Sequence, residues 1–525
     1  MNLAVVADKI DSKHSSCSTL NAEAIDLAQQ IPIEHDTSFA DLVNYHSTKD
    51  DHLFQAWFKY REGFSPALVE RFMHGLPPGS VILDPFVGSG TTLTTAKMAG
   101  YKGIGIDINP LSILVSKVKT RNYQPTDVSI LRKKLESFRD IDDNDAADPV
   151  PKLRIIEKVY PQDVLKVLLQ LKYKIFKLKK DKYREFFFVA WLSILESLSN
   201  TFKEGNGIKY RSSKRAVGKY VTVDFDEWAS NYYKSNRKKQ VIDEFMSQAD
   251  LMIEDVARSR GRYEPVVTEG TAVFLDKYIG VDTVDASIFS PPYLNCFNYF
   301  KIYKVELWMG GWIRDYGDVA FDKDKSLRSH VETPLKREND LHIPYIEPYI
   351  ERMDVSSLWD KRIPDAIRGY FIDMRAVFNG LLKVTKPKGK AVCVVGNSCY
   401  AGVVIPTDLI LARIAEEMGF TARIIVTRSL PVAAQQARLL GEEKNLVRES
   451  ILVLEKPDLN WHFSLPGTQK ELVKIASIPG PEALDPEVTY LISNNGLRDG
   501  THGFHKYAGK FIPHLSRWAI ENYTH

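Results

Sequence analysis

Three short stretches of this chain carry residue types and spacings that could do chemistry. The first is Asp84-Pro85-Phe86-Val87-Gly88-Ser89-Gly90-Thr91-Thr92, which follows the apolar run Ser80–Leu83. Glycines where a strand gives way to a helix let the backbone approach a guest closely, and free N–H groups at a helix start favour an anionic group. The second is Asp107, which ends the next apolar run and is placed to accept from both hydroxyls of a ribose. The third is Ser290-Pro291-Pro292-Tyr293, directly after the run Asp285–Phe289. Two consecutive prolines fix the backbone and remove two donors, leaving carbonyls that point at a guest, and the tyrosine ring adds a stacking face.

Two phosphate-binding readings of the glycine turn fail. A Walker loop needs a lysine after Gly90, and a dinucleotide turn needs a third glycine where Leu93 stands. Asp84 instead places a carboxylate at the strand tip, which suits a cationic amine. A ligand with an amino group, a carboxylate and an adenosine ribose describes S-adenosylmethionine.

Strand, glycine turn, helix and strand from Ser80 to Asp107 form the opening of a doubly wound α/β sheet. Residues 121–262 break that rhythm with long helical patterns rich in lysine, and from Val266 the α/β alternation resumes. The expected organisation is a polar arm with a short helix over 1–45, a cofactor-binding half over 46–120 and a helical insertion over 121–262. A catalytic half over 263–460 and a tail over 461–525 complete it. Two connections, at about 315–345 and 428–447, lack a regular pattern, and loops of that length are usually functional.

Bulk properties set the limits. A chain of 525 residues with 44% hydrophobic and 26% charged residues reads as more than one soluble globular unit. The net charge of +3 makes any nucleic-acid surface a local feature. Cys17, Cys296, Cys393 and Cys399 form no C-x-x-C pair and no metal-ligand spacing, which fits reduced thiols. Cys296 lies near the third motif, but no Pro-Cys pair precedes an acid, so it reads as a packing residue. No apolar run approaches the length of a membrane span and the start does not resemble a signal peptide, so the expected location is the cytoplasm.

The motifs and their order resemble the amino-methyltransferases of DNA, which modify N6 of adenine or N4 of cytosine; the resemblance covers roughly residues 50–456. It implies a class I S-adenosylmethionine-dependent methyltransferase sheet with target recognition inside the helical insertion. DPFVGSGTT is similar to the family's cofactor motif, GIDINP to its ribose-binding acid and SPPY to its catalytic motif. The segment Phe58–Met73 resembles the element that closes over the methionine end, with Phe64 and Pro66 as its recognisable positions. The implied cofactor contacts are Phe64, Asp84, Phe86, Gly88, Gly90, Thr91 and Asp107. The implied catalytic residues are Ser290, Pro291, Pro292 and Tyr293. Glu269-Gly270-Thr271-Ala272 stands where the family often has Gly-Asp. A serine in the first catalytic position links the sequence mainly to the cytosine-N4 enzymes, with adenine N6 as the alternative.

The expected partner is double-stranded DNA, with a cognate restriction endonuclease or a second methyltransferase subunit in a restriction-modification system. The stretch Asn200–Tyr220 carries Lys203, Lys209, Arg211, Lys214, Arg215 and Lys219 among glycines and tyrosines, and reads as a flexible basic loop that tracks phosphates. The lysine-rich stretch 172–184 reads equally as the solvated face of a helix. Ser329 and His330 fall in a loop near the expected base, where a lone histidine is more often incidental. Trp57 and Trp308 read as packing residues. Two other functions compete: an RNA base methyltransferase, whose relatives carry Asp or Asn before Pro-Pro-Tyr and an added RNA-binding domain, and a catalytically silent DNA-binding subunit. The tail at 497–525 repeats the pattern of His52–Met73, as though a second methyltransferase unit began there.

Overall fold

A computed structural model describes residues 31–43 and 53–458, apart from 206, 217–218, 234–235, 260, 296–297, 319–325, 334, 336–341 and 432–439. It also describes three strands beyond, at 461–464, 471–475 and 488–492. Cys17, Cys296 and the tail at 497–525 lie outside the described residues.

The chain opens with β1 (Ile33–His35), β2 (Val81–Asp84) and β3 (Lys102–Asp107). Four short strands follow inside the insertion: β4 (Thr201–Glu204), β5 (Gly207–Tyr210), β6 (Ser213–Ala216) and β7 (Lys219–Thr222). Then come β8 (Val266–Glu269), β9 (Val284–Phe289), β10 (Thr385–Gly396), β11 (Ser398–Tyr400), β12 (Val403–Ile405), β13 (Thr421–Ser429) and β14 (Arg448–Glu455). Eight of them make one sheet in the order β1-β13-β14-β10-β9-β2-β3-β8. Within it β14 runs antiparallel to both neighbours, whereas the other pairings are parallel. This is the expected doubly wound sheet of the class I methyltransferase kind. From β2 the chain winds outward through β3 to β8, then crosses back to β9 on the other side. The switch point therefore lies between β2 and β9, where ligands of open α/β sheets bind at the carboxyl ends of the strands.

The sheet is buried on both faces, so its central strands are apolar throughout rather than alternating. Along β10, Ala391, Cys393 and Val395 face a layer containing the helices Ile363–Val384 and Thr407–Met418. Val392 and Val394 face the opposite layer, built on the helices Pro66–Met73 and Thr91–Met98. Ser65 caps the first of these with its side chain, and Pro66 supplies the preset φ of a first helical residue.

Between β3 and β8 stand the helices Pro125–Glu136, Gln162–Phe176, Asp181–Ser193, Phe225–Tyr232 and Arg237–Arg258. Their shared core includes Leu168, Phe186, Phe187, Trp191, Phe245 and Met252, and it runs on into Trp57, Tyr303 and Trp308 from outside the insertion. Asp255 joins the two regions, accepting from the Phe54 N–H and the Trp57 indole, each at 2.8 Å.

Several expectations need correction. The N-terminal arm supplies an edge strand, β1, which pairs in parallel with β13. The basic stretch at 200–220 is not a loop: β4–β5 and β6–β7 are antiparallel hairpins. Strands of only four residues, each carrying one or two charges, give little hydrophobic signal. The stretch 172–184 is not a solvated face throughout, since Lys172 is buried and pairs with Asp148 at 3.0 Å. The described strands beyond residue 460 form a separate sheet in the order β15 (Trp461–Ser464), β17 (Val488–Ile492), β16 (Glu471–Ile475).

Candidate active site

At the tip of β2 the Asp84 carboxylate accepts the Phe86 N–H at 3.0 Å and is almost fully buried. Burial pushes its carboxyl up to about 7. The turn that follows needs its glycines. Gly90, at the start of the helix Thr91–Met98, has φ +82°, and a Cβ there would stand 2.9 Å from the Ser116 hydroxyl. Gly88 has φ +48°, and a Cβ on it would meet the Tyr60 ring at 3.0 Å. The carbonyl of Gly88 accepts the Ser116 hydroxyl at 2.9 Å, and its N–H donates to Asp107 at 2.9 Å. Asp107, at the tip of β3, also accepts the Asn109 N–H at 2.8 Å. Burial raises it to about 6. Thr92 donates to the carbonyl of Ile288 at 3.0 Å, which ties the helix after the glycine turn to β9.

Ser290 leaves the end of β9 with its hydroxyl donating to the Val394 carbonyl at 3.2 Å. Three residues later, the Tyr293 hydroxyl donates to Glu449 at 2.9 Å. Glu449 is held in turn by Arg428 at 2.6 Å. Burial raises both the Tyr293 hydroxyl and the Glu449 carboxyl above their usual ranges.

These elements border two cavities. One cleft is lined by Phe64, Asp84, Phe86, Gly88, Thr91 and Asp107 from the expected cofactor set, and by Ser290 and Pro292 from the third motif. Gly270, Thr271, Ala272 and Val273, from the segment after β8, line it too. Gly90 and Pro291 are not among its lining residues. Tyr293 faces a second cavity of about 390 Å³ with Asn295, Asn397 and Cys399. One four-residue loop thus serves both spaces.

Sequence reading missed several walls of the first cleft. The Tyr60 ring stacks on Tyr299 and Tyr303, with centroids 5.8 and 5.1 Å away. The Arg61 N–H donates to the Tyr303 hydroxyl at 2.7 Å, which fastens the strap 58–65 across the glycine turn. Ser329 and His330, expected in a loop near the base with the histidine read as more often incidental, line the cleft. They are positioned by the neighbouring Arg328, whose buried guanidinium meets Asp373 at 2.7 Å.

Of the six expected DNA contacts, Lys203 is misplaced by the sequence reading. Its ammonium is buried between Glu196 and Glu306, at 2.5 Å from each. Such a group is a buried ion pair rather than a phosphate contact. Lys209 pairs with Glu204 at 2.5 Å, and Arg211 donates to the Ser199 carbonyl at 3.0 Å. Lys214, Arg215 and Lys219 lie on the hairpin β6–β7.

Comparison with known proteins falls in line with this geometry. A family of DNA methylases, the N6/N4 methyltransferases, matches residues 25–117. The type II methyltransferase M.BsoBI of Geobacillus stearothermophilus is 28% identical over 468 residues, spanning 81% of this chain and 89% of the relative. The chain resembles the DNA amino-methyltransferases of restriction-modification systems. The type II methyltransferase M.AvaI of Nostoc sp. is 27% identical, over 81% of this chain and 90% of its own. M.MvaI of Kocuria varians, also a type II methyltransferase, is 21% identical over 72% of this chain and 85% of its own. Each alignment covers most of the relative, so the likeness extends well beyond the glycine turn.

Proposed function

We propose that this chain transfers a methyl group from S-adenosylmethionine to the exocyclic N4 of cytosine in double-stranded DNA, within a restriction-modification system. The observation that carries the reading is the Ser290–Tyr293 loop at the switch point, which contributes Ser290 and Pro292 to one cavity and Tyr293 to the other. A group-transfer enzyme needs such an arrangement, with donor and acceptor on either side of one rigid loop.

The residues of the first cleft fit the donor. Asp84 suits the cationic amine, Asp107 keeps acceptor capacity for the two ribose hydroxyls, and the glycine turn leaves room that side chains would fill. Phe64, Phe86 and Thr91 line the same space, and Gly90 acts through the turn it permits. When bound, the donor supplies an electrophilic methyl group on a sulfonium.

The acceptor is an exocyclic amine conjugated to a base ring, and its lone pair is delocalised into that ring. The chain must hold both N–H bonds so that the lone pair turns toward the methyl group. Ser290 Oγ is suited to accept one of them, because its own proton is committed to the Val394 carbonyl. The main-chain carbonyl of Pro291 takes the other, while Pro292 keeps the loop rigid. Tyr293, anchored through its hydroxyl to Glu449, offers a stacking face to a base rotated out of the duplex. Transfer would be direct, without a covalent intermediate on the protein: the N–C bond forms as the C–S bond breaks, a thioether leaves and the amine sheds one N–H proton, so positioning and fixed dipoles carry the acceleration.

A serine hydroxyl is a neutral acceptor, unlike aspartate, and this favours cytosine N4 over adenine N6. Lys214, Arg215 and Lys219 are the proposed phosphate contacts, with Lys209 and Arg211 beside them and Lys203 removed. Purified protein incubated with isotopically labelled donor should label DNA and leave RNA unlabelled. Label in RNA alone, or in neither, would remove this reading.

A further inference from the structure

Among the described residues, Trp359 is the most exposed large hydrophobic side chain, at 68%. A single exposed hydrophobic side chain is ordinary, and it is the place of this one that matters. The ring lines the second cavity together with Tyr293, the aromatic residue of the third motif. Its backbone is fixed on both sides. Asp354 accepts the Ser356 N–H at 3.0 Å and closes the short turn Val355–Ser357. After the tryptophan, Asp360 takes a two-pronged contact from Arg362 at 3.0 and 2.7 Å.

The polar groups around the cavity are largely committed elsewhere. The Asn397 amide donates to Asp408 at 2.8 Å and to the Leu446 carbonyl at 2.9 Å. Its oxygen accepts the Asp408 N–H at 2.9 Å. The Ser398 and Tyr400 hydroxyls both donate to the Leu294 carbonyl. The aromatic residues among these walls are Tyr293, Trp359 and Tyr400, on three different segments, and such side chains suit a planar guest.

Resting on the reading of this chain as a DNA methyltransferase, we propose that Trp359 is a positioning residue that stacks on the extruded target base and holds it in the second cavity. The indole lowers the net cost of extrusion, so the base spends more time against Ser290 and Tyr293. Stacking on an aromatic side chain changes affinity by roughly tenfold or more.

The test uses the full-length chain with Trp359→Ala and Trp359→Phe, on duplexes carrying the site that the wild-type protein methylates. One duplex has the target base paired and the other has it opposite a mismatch, where extrusion costs less. Single-turnover methylation of the paired target should slow roughly tenfold or more in Trp359→Ala. The deficit should shrink on the mismatched duplex, Trp359→Phe should recover most of the rate, and affinity for S-adenosylhomocysteine should stay unchanged. Equal deficits on both duplexes would place the indole on the helix exterior and overturn the proposal, as would a Trp359→Ala rate equal to wild type. Wild-type protein inert on all DNA would sink the methyltransferase reading itself, an outcome distinct from active wild type with an unaffected variant.

Discussion

On the proposed reading, the buried carboxylate at the tip of β2 should make cofactor binding a proton-linked event. Asp84 is 2% exposed, and burial lifts it from 3.8 to about 7. In the free protein at pH 7 about half the molecules therefore carry a proton on this group. A cationic amine brought beside it favours the ionised form, so binding should expel about 0.5 proton from Asp84 at pH 7. Asp107, raised to about 6, would add about 0.1. Release should grow at pH 6 and nearly vanish at pH 8.5, and Asp84 alone should make affinity drop about tenfold per pH unit below pH 6 or so, equal to about 1.4 kcal/mol, with Asp107 steepening the fall. The same shift bears on stability. A carboxyl raised above its unfolded value binds its proton more tightly when folded, so the ligand-free protein loses stability as pH rises from about 4 to about 7. The gap from 3.8 to about 7 sets a ceiling of roughly 4 kcal/mol. Asp84→Asn should thus raise the melting temperature of the free protein at pH 8, leave it nearly unchanged at pH 4, and abolish the larger part of the proton release. Calorimetry in two buffers of different ionisation enthalpy measures that release directly. No proton exchange at pH 7, or the same exchange in Asp84→Asn, would refute the reasoning.

Other substitutions separate the proposed roles. Ser290→Ala should lower turnover by roughly a hundredfold with cofactor affinity nearly intact, whereas Asp107→Ala should weaken cofactor binding by about 1.5–3 kcal/mol per lost hydrogen bond. Equal loss of cofactor by both, seen calorimetrically, would show the roles to be wrong. Lys203→Ala strands Glu306 as an unpaired buried charge and should cost about 3–5 kcal/mol in denaturant unfolding, which a phosphate contact on the surface would not. Reversing Lys214, Arg215 and Lys219 to glutamate should weaken DNA binding and flatten its dependence on salt, and an unchanged salt slope would move the DNA surface elsewhere.

What could be read in the sequence was local. The glycine turn, the acid at the end of β3 and the Ser-Pro-Pro-Tyr loop each announce themselves within a few residues, because strand ends, glycines and prolines leave short-range marks. The rest depends on partners far along the chain. Tyr60 and Tyr303 stack across more than two hundred positions, and no periodicity links them. Lys203 looks solvated in its run of basic residues until Glu306 is placed against it. Tyr293 reads as a stacking ring from its motif, but its tether to Glu449 comes from β14, and the second cavity it faces is walled by Trp359, Asn397 to Tyr400, Leu430 and Val447, all far along the chain. Ser329 and His330 sit in a segment without pattern, and their place in the cleft follows from the buried Arg328–Asp373 pair.

Nucleoside mass spectrometry decides whether the chain places a methyl group on an exocyclic amine of a DNA base. DNA from cells lacking other methyltransferases would be treated with the purified chain and S-adenosylmethionine, digested to nucleosides and resolved by mass and retention. N4-methylcytosine should appear, absent without the chain and strongly reduced with Ser290→Ala. N6-methyladenine as the sole product would contradict the assignment of the base, and unmodified nucleosides throughout would contradict the methyltransferase reading itself.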